Sequence, residues 1–368
     1  MNILINASTQ RVGGGLQVAN YVIKAILDYP IHHFVVVTST DVLIPDCVRN
    51  SSHIKIIVFN FDTYTWQLLN GGHHKFLDKI VKDEIIDKVY SIFGPTYWHP
   101  KVPHVCGFAY PHYIYKDSPY FTIIPLKLKL RVYLELIIKK ISFGRDVDIY
   151  ITENADVSEK LRILFPQKKV YTVTNYYNPI FDQPQSWDKS INLPAFSGVT
   201  LLTIAANYPH KNLRVIKDVV CQLKEMYPAF CFRFVLTAKE DDMPELKGLP
   251  NVYFIGPLSI NQCPHVYEQA TFMFLPTLLE CFSASYVEAM RMEVPILTSD
   301  IGFARGLCGD AAEFFDPIDA QDIANKIYVL SMDKKRMSTL VENGKKRLLS
   351  FDNNEMRIKK YLEILENN

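Results

Sequence analysis

The chain lacks any paired-cysteine signature. Its seven cysteines, Cys47, Cys106, Cys221, Cys231, Cys263, Cys281 and Cys308, are odd in number, scattered, and form no C-x-x-C. That excludes a disulfide framework and a cysteine zinc site, and it points to a reducing compartment. The chain also lacks an excess of either charge: 40 Lys and Arg stand against 39 Asp and Glu, a formal net charge of +1. No global field therefore gathers nucleic acid, and an electrostatic partner has to be recruited by a local patch. Long apolar runs are missing too. Even the segment Phe121 to Ile141 carries Lys127, Lys129, Arg131, Lys139 and Lys140, and so falls short of the roughly 20 uninterrupted apolar residues of a spanning helix. Met1 to Asn6 (MNILIN) reads as a buried strand and not as the charged start of a signal peptide, so a cytoplasmic protein is expected. No serine or cysteine sits in a G-x-S-x-G setting, which leaves nucleophile-elbow hydrolysis unsupported.

What the 368 residues do contain is an alternation of short β-branched runs with helix-period segments. Strand-like Asn2–Asn6, His33–Thr38, Ile54–Val58 and Val89–Phe93 are separated by Leu16–Leu27 and His74–Asp87, the βαβ pattern of a parallel sheet. Val147–Thr152 and Val170–Thr174 continue it. From Asp182 to Gly198 (DQPQSWDKSINLPAFSG) periodicity gives way to Pro, Ser, Asp and Gly, which marks a linker. The alternation restarts at Thr200–Ala205, passes through a helix-period segment from about Asn212 to Met226, and runs on through Cys231–Leu236, Val252–Ile255, Phe272–Leu275 and Pro295–Thr298. Two doubly wound α/β domains are expected, an N-terminal one over residues 1–182 and a C-terminal one over 183–349. A last helical segment, about 350–368, is expected to pack back onto the N-terminal domain.

In open α/β sheets, ligands bind beyond the carboxyl ends of the strands, so the loops after strands carry the candidate residues. One such loop, after Phe272–Leu275, holds Glu280 and Glu288 eight residues apart. A helix starting just after Glu280 would set them roughly 12 Å apart, close to the span from a donor sugar to the ribose of its nucleotide. One acid can then hold the hexose and the other the ribose, while the amides of Phe282, Ser283 and Ala284 meet a diphosphate at the helix N-terminus. A second loop, Asn207-Tyr208-Pro209-His210-Lys211-Asn212, follows the first strand of the second domain, and Lys211 can neutralise a leaving phosphate there. A third, Gly13-Gly14-Gly15, follows the first strand of the chain and lets the backbone approach an anion.

This ordered series resembles the large family 4 of retaining GT-B glycosyltransferases. Glu280 and Glu288 match its E-x7-E element, within FMFLPTLLECFSASYVEAMRMEVPILTSD. The Gly309-Asp310-Ala311-Ala312 and Phe315-Asp316-Pro317 segments resemble the strand and turn that follow it. The resemblance implies two Rossmann-like domains facing each other across a cleft, with a nucleoside-diphosphate sugar as donor substrate on the C-terminal one. It implies retention of configuration by front-face attack, and no metal or other cofactor. Lys211 matches the family's lysine, whereas the arginine position five residues earlier is Ala206, leaving Asn207, His210 or Arg214 as substitutes. Gly14 and Gly15 fall where the family's N-terminal glycine loop faces phosphate and acceptor, and His112 where a histidine reaches the donor sugar. His99, His104 and Tyr113 are alternatives to His112.

The acceptor that such enzymes commonly serve is a glycan on a polyprenyl diphosphate, in surface polysaccharide or O-antigen assembly. The basic, apolar stretch 121–145 suits an anionic membrane surface, and a peripheral location at the inner face of the plasma membrane follows. Asp146-Val147-Asp148 spells the metal-holding D-x-D of GT-A enzymes, but it opens a strand of the N-terminal half, and a second α/β domain has no place in that fold. The alternatives to transfer are a GT-B epimerase or phosphorylase, and a non-catalytic sugar-nucleotide-binding protein. Donor turnover with and without acceptor separates them.

Overall fold

The computed structural model describes residues 1–11, 13–59 and 70–368. It divides the chain into two compact units: Met1–Ile114, Pro125–Asn175 and Asp352–Asn368 form the first, and Tyr115–Ile124 with Tyr176–Phe351 form the second. The helices of eight residues or more, among the described residues, are α1 (Gly13–Ala25), α2 (Lys75–Asp83), α3 (Leu126–Asp146), α4 (Ala155–Leu164), α5 (Val215–Met226), α6 (Ala284–Arg291), α7 (Ala320–Met332), α8 (Lys334–Leu348) and α9 (Asn354–Asn367).

The first unit is built on β1 (Asn2–Ala7), β2 (His33–Thr38), β3 (Ile54–Val58), β4 (Lys88–Ser91), β5 (His104–Gly107), β6 (Ile149–Thr152) and β7 (Lys169–Thr172), in the order β3-β2-β1-β4-β5-β6-β7. The pairings are parallel, with Ile3 opposite Phe34 on one side and Lys88 on the other. Alternation decides the two faces: Ile3, Ile5 and Ala7 enter one core with α1 and α9, while Leu4 enters another with Leu77, Ile80 and Trp98. Both faces are covered, which is why these strands read as continuous apolar runs. Helix α9 belongs to this unit through Ile358, Tyr361, Leu362, Ile364 and Leu365, and Asn353 caps it by accepting from the Met356 amide (2.9 Å).

The second unit repeats the plan with β8 (Val199–Thr203), β9 (Phe232–Leu236), β10 (Val252–Phe254), β11 (Phe272–Leu275), β12 (Ile296–Ser299) and β13 (Ala312–Phe315), ordered β10-β9-β8-β11-β12-β13. In each sheet the chain builds outward through its first three strands and then crosses back to the other side of the first, so the order reverses between β1 and β4 and between β8 and β11. That reversal opens a crevice at the carboxyl ends of those neighbours.

Several expectations need adjusting. Helix α1 begins at Gly13, not Leu16, and α5 begins at Val215 because Asn212 adopts a left-handed conformation (φ 54°) that breaks the segment. Helix α6 starts at Ala284, four residues after Glu280, so the spacing from Glu280 to Glu288 is only partly helical rise. Asp146 ends α3 and does not open a strand; it is buried, accepts from Ser142 Oγ (2.6 Å) and Arg145 (3.0 Å), while Asp148 accepts from the His104 amide (3.0 Å). The apolar stretch from Phe121 is also divided: Phe121 and Ile124 are buried within the second unit, and the exposed part of the stretch begins at Leu126.

Candidate functional site

The loops after β8 and β11 flank the crevice of the second unit, and their sequences bring opposite charges together. The β8 loop runs through Pro209, which sets a 3-10 turn over Pro209–Lys211, and ends on the left-handed Asn212, whose side-chain amide nitrogen donates to the Pro317 carbonyl (2.8 Å). The β11 loop is pinned to it: the His210 carbonyl accepts from the Leu278 amide (2.7 Å) and from Thr277 Oγ1 (3.1 Å). These bonds place Lys211 Nζ at 2.6 Å from Glu280 Oε1, with only 14% and 9% of the two side chains exposed. An ammonium has three donors, so the pair leaves two for a second anion.

Neighbouring groups sort by charge. His210 lies with its ring parallel to Tyr208 at 5.6 Å. Burial pushes its pKa down to about 4, against the pull of Glu280 and with the push of Lys211. It is therefore neutral near pH 7 and does not replace the arginine missing at Ala206. Arg214 is turned elsewhere and donates to the Ile123 carbonyl (3.2 Å). Asn207 is exposed and its side-chain amide donates to the Asp242 carbonyl (2.7 Å). Of the loop's named groups, Lys211 alone is a cation beside Glu280.

Helix α6 begins with Ser283 as N-cap, whose side chain makes no capping bond, so the first amides of the helix keep their donor capacity. Phe282 packs edge-on against Phe351 at 6.4 Å, and Ser285 Oγ donates to the Ile204 carbonyl at the end of β8 (3.3 Å). One helical turn on, Glu288 is 6% exposed and accepts from the Tyr267 hydroxyl (3.1 Å). Burial raises its pKa to about 7, and the Tyr267 bond offsets part of the rise. Tyr267 was not foreseen, because nothing local to its sequence reports a partner 21 residues away.

The remaining candidates lie in the first unit. Gly13 has φ of 66°, a backbone reason to be glycine, while a Cβ on Gly15 would come within 2.3 Å of Gln10 Oε1, the end of a side chain that can turn aside. Gly14 has neither: a Cβ there meets nothing within 4 Å. His112 sits in the turn Pro111–Ile114 with its ring 5.2 Å from Tyr110. Of the alternatives to it, His104 is fully buried, bonded to Ser91 Oγ (2.8 Å), and pushed down to about 4 by burial, the behaviour of a core histidine. Among the described residues, no group of three or more His, Cys, Asp or Glu is placed to hold a metal ion.

Against known proteins, residues 197–347 match the family model of glycosyl transferases group 1. No curated protein matches in sequence. In structure the whole chain superposes on a glycosyltransferase from Rickettsia africae with TM-score 0.70 and 16% identity, covering 100% of this chain and 98% of that one. Anabaena Alr3699/HepE, solved in complex with UDP and glucose, gives TM-score 0.65 and 16% identity with 100% of both chains covered. WaaG, a glycosyltransferase involved in lipopolysaccharide biosynthesis, gives 0.69 and 13% with 100% of both. The matched segment holds Lys211, Glu280 and Glu288 and lies within the second unit, and the full-length likeness is one of fold. Together they give the chain the GT-B fold, with its residues 197–347 related to the group 1 family model.

Proposed function

We propose that the protein moves a sugar from a nucleoside-diphosphate sugar to a glycan acceptor with retention of configuration, and that the donor lies on the second unit. The observation that carries this reading is the Lys211–Glu280 pair at the carboxyl ends of β8 and β11, inside the segment related to glycosyl transferases. In this reading the two free donors of Lys211 and the first amides of α6 take the diphosphate, Glu280 takes hydroxyls of the sugar, and Glu288 the ribose. The acceptor oxygen bonds to the anomeric carbon as the bond from that carbon to the phosphate oxygen breaks. The acceptor's proton passes to the departing phosphate, so no enzymic nucleophile is needed. The chain contributes charge and position. Gly14 and Gly15 are assigned to the donor phosphate and the acceptor, and His112 to the sugar.

The acceptor in this reading is carried on a lipid, in surface polysaccharide assembly, and α3 supplies the support. Its exposed apolar residues Leu126, Leu130, Tyr133, Leu134, Ile137, Ile138 and Ile141 fall within an arc of about 140° at the 100° step of a helix. Lys127 and Arg131 lie at one edge of that stripe and Lys129 and Lys140 at the other, the layout of a helix lying in an anionic interface. Flotation with anionic liposomes should carry the protein upward, and a Leu130→Asp, Ile137→Asp variant should stay at the bottom; flotation by that variant sinks the membrane contact.

The donor assignment is tested by calorimetric titration with UDP, GDP, ADP and CMP, with and without EDTA. One diphosphate binding equally in both conditions supports the reading. Binding that requires a divalent cation, or no binding at all, rejects it. Proton NMR of the product then reports the anomer, and inversion would overturn the stereochemical assignment.

A further inference from the structure

The segment Tyr115–Ile124 belongs to the second unit although its chain neighbours on both sides belong to the first. Its contacts within that unit include these. Ser118 Oγ donates to the Leu278 carbonyl (2.6 Å), Tyr115 packs edge-on against Phe303 (5.7 Å), and Arg214 donates to the Ile123 carbonyl (3.2 Å). Ser118 is buried, and its oxygen accepts from the Tyr120 amide (3.2 Å), which fixes the direction of the hydroxyl. Two of these anchors lie beside the charged pair: Leu278 is two residues before Glu280, and Arg214 three residues after Lys211.

Leu278 is the meeting point. Its amide donates to the His210 carbonyl and its own carbonyl accepts from Ser118, so one buried residue ties the lysine loop, the glutamate loop and the inserted segment together. The loop's other fixings toward the lysine, through Thr277 and the Leu278 amide, act on its lysine side; Ser118 is the group that holds the carbonyl side.

We infer that Ser118 is a positioning residue for the donor site: by clamping Leu278 it holds Glu280 against Lys211. The inference rests on the donor assignment for its functional meaning but is tested without any nucleotide. Competitive acetylation of the free, full-length protein, read by mass spectrometry, measures how often Lys211 escapes its partner, with exposed Lys217 on α5 as internal reference. Lys211 should react more slowly than Lys217 in the wild type. Ser118→Ala should raise the Lys211 rate roughly fivefold, the effect of losing one buried side-chain hydrogen bond on a local opening equilibrium. Ser118→Thr, which keeps the hydroxyl, should restore protection. Arg214→Gln alters only the far anchor at Ile123 and should raise the rate in the same direction, which provides a variant for use if Ser118→Ala does not fold. An unchanged Lys211 rate in a folded Ser118→Ala, or in Arg214→Gln where the alanine variant is lost, overturns the inference. So does a wild-type Lys211 as reactive as Lys217. Absence of nucleotide binding would reject the donor assignment and leave these rates as they are.

Discussion

The two units share one plan, a parallel sheet whose first strand lies beside its fourth, yet they fill the resulting crevice differently. In the second unit the loops after β8 and β11 bring a lysine and a glutamate to 2.6 Å, with a buried carboxyl one helical turn beyond the α6 N-cap. In the first unit the same place holds glycines, and Gln10 donates to the Phe93 carbonyl (3.4 Å) between the β1 and β4 exits. The distinctive feature of the first unit is the surface of α3, where an apolar stripe runs between cations. One fold therefore supports a charged grip in one copy and a surface in the other, and function follows the loops and not the sheet.

The comparison breaks most readily at Lys211. Lys211→Ala should lower the transfer rate by about 10²–10³, the typical cost of one positioned electrostatic donor. His112→Ala should leave nucleotide affinity untouched, because in the proposed reading the nucleotide lies on the other unit. Steady-state kinetics on both variants decide this, and undiminished transfer by Lys211→Ala removes it from the mechanism. Next in size, Glu288→Ala should weaken the bare nucleoside diphosphate roughly tenfold to a hundredfold, the worth of hydrogen bonds to a charged group. Calorimetry reads it directly.

Each unit also buries a carboxyl. Glu288 in the second and Glu153 in the first are both raised by burial to about 7 from an ordinary 4.5, Glu153 with relief from Arg357 on α9. Both therefore hold a proton in the folded chain over a range where the unfolded chain has lost it. Their contribution to stability should fall as pH rises from about 4.5 to about 7, whereas His104 and His210, depressed to about 4, contribute in the opposite sense as pH rises from about 4 to about 6.5. The carboxyl share is read by difference: the gain in urea midpoint of wild type over Glu288→Gln should change between pH 5 and pH 8, and a gain independent of pH would contradict the raised pKa of Glu288. The smallest effect belongs to Gly14→Ala. It should stabilise the first unit by up to about 1 kcal/mol, since alanine suits a helix better than glycine and the space is open. If the glycine serves ligand approach, thermal stability rises while transfer falls; stabilisation with full activity makes it an incidental choice.

The alternation of strands and helices was legible because buried parallel strands must be nearly all apolar, as in Phe272–Leu275. That Lys211 and Glu280 each follow such a strand was legible too. That they touch was not, since it depends on β8 and β11 being neighbours, a fact of topology 69 residues wide. Helix starts were misread where a single residue decides them, as at Asn212, whose left-handed turn leaves no periodic trace. The clamp by Ser118 lay further out of reach, for its partner is 160 residues away and the intervening chain changes unit more than once. Sequence periodicity reports what faces a core; it does not report which loop a hydroxyl will reach.

The central claim is the proposal that the second unit holds the nucleoside and carries the main grip on its diphosphate. It is tested most directly by titrating the diphosphate that wild-type protein binds into Glu288→Ala and His112→Ala side by side. The account predicts binding severely weakened in the first and unchanged in the second. Full affinity in Glu288→Ala together with loss in His112→Ala would move the nucleotide to the other unit and contradict it.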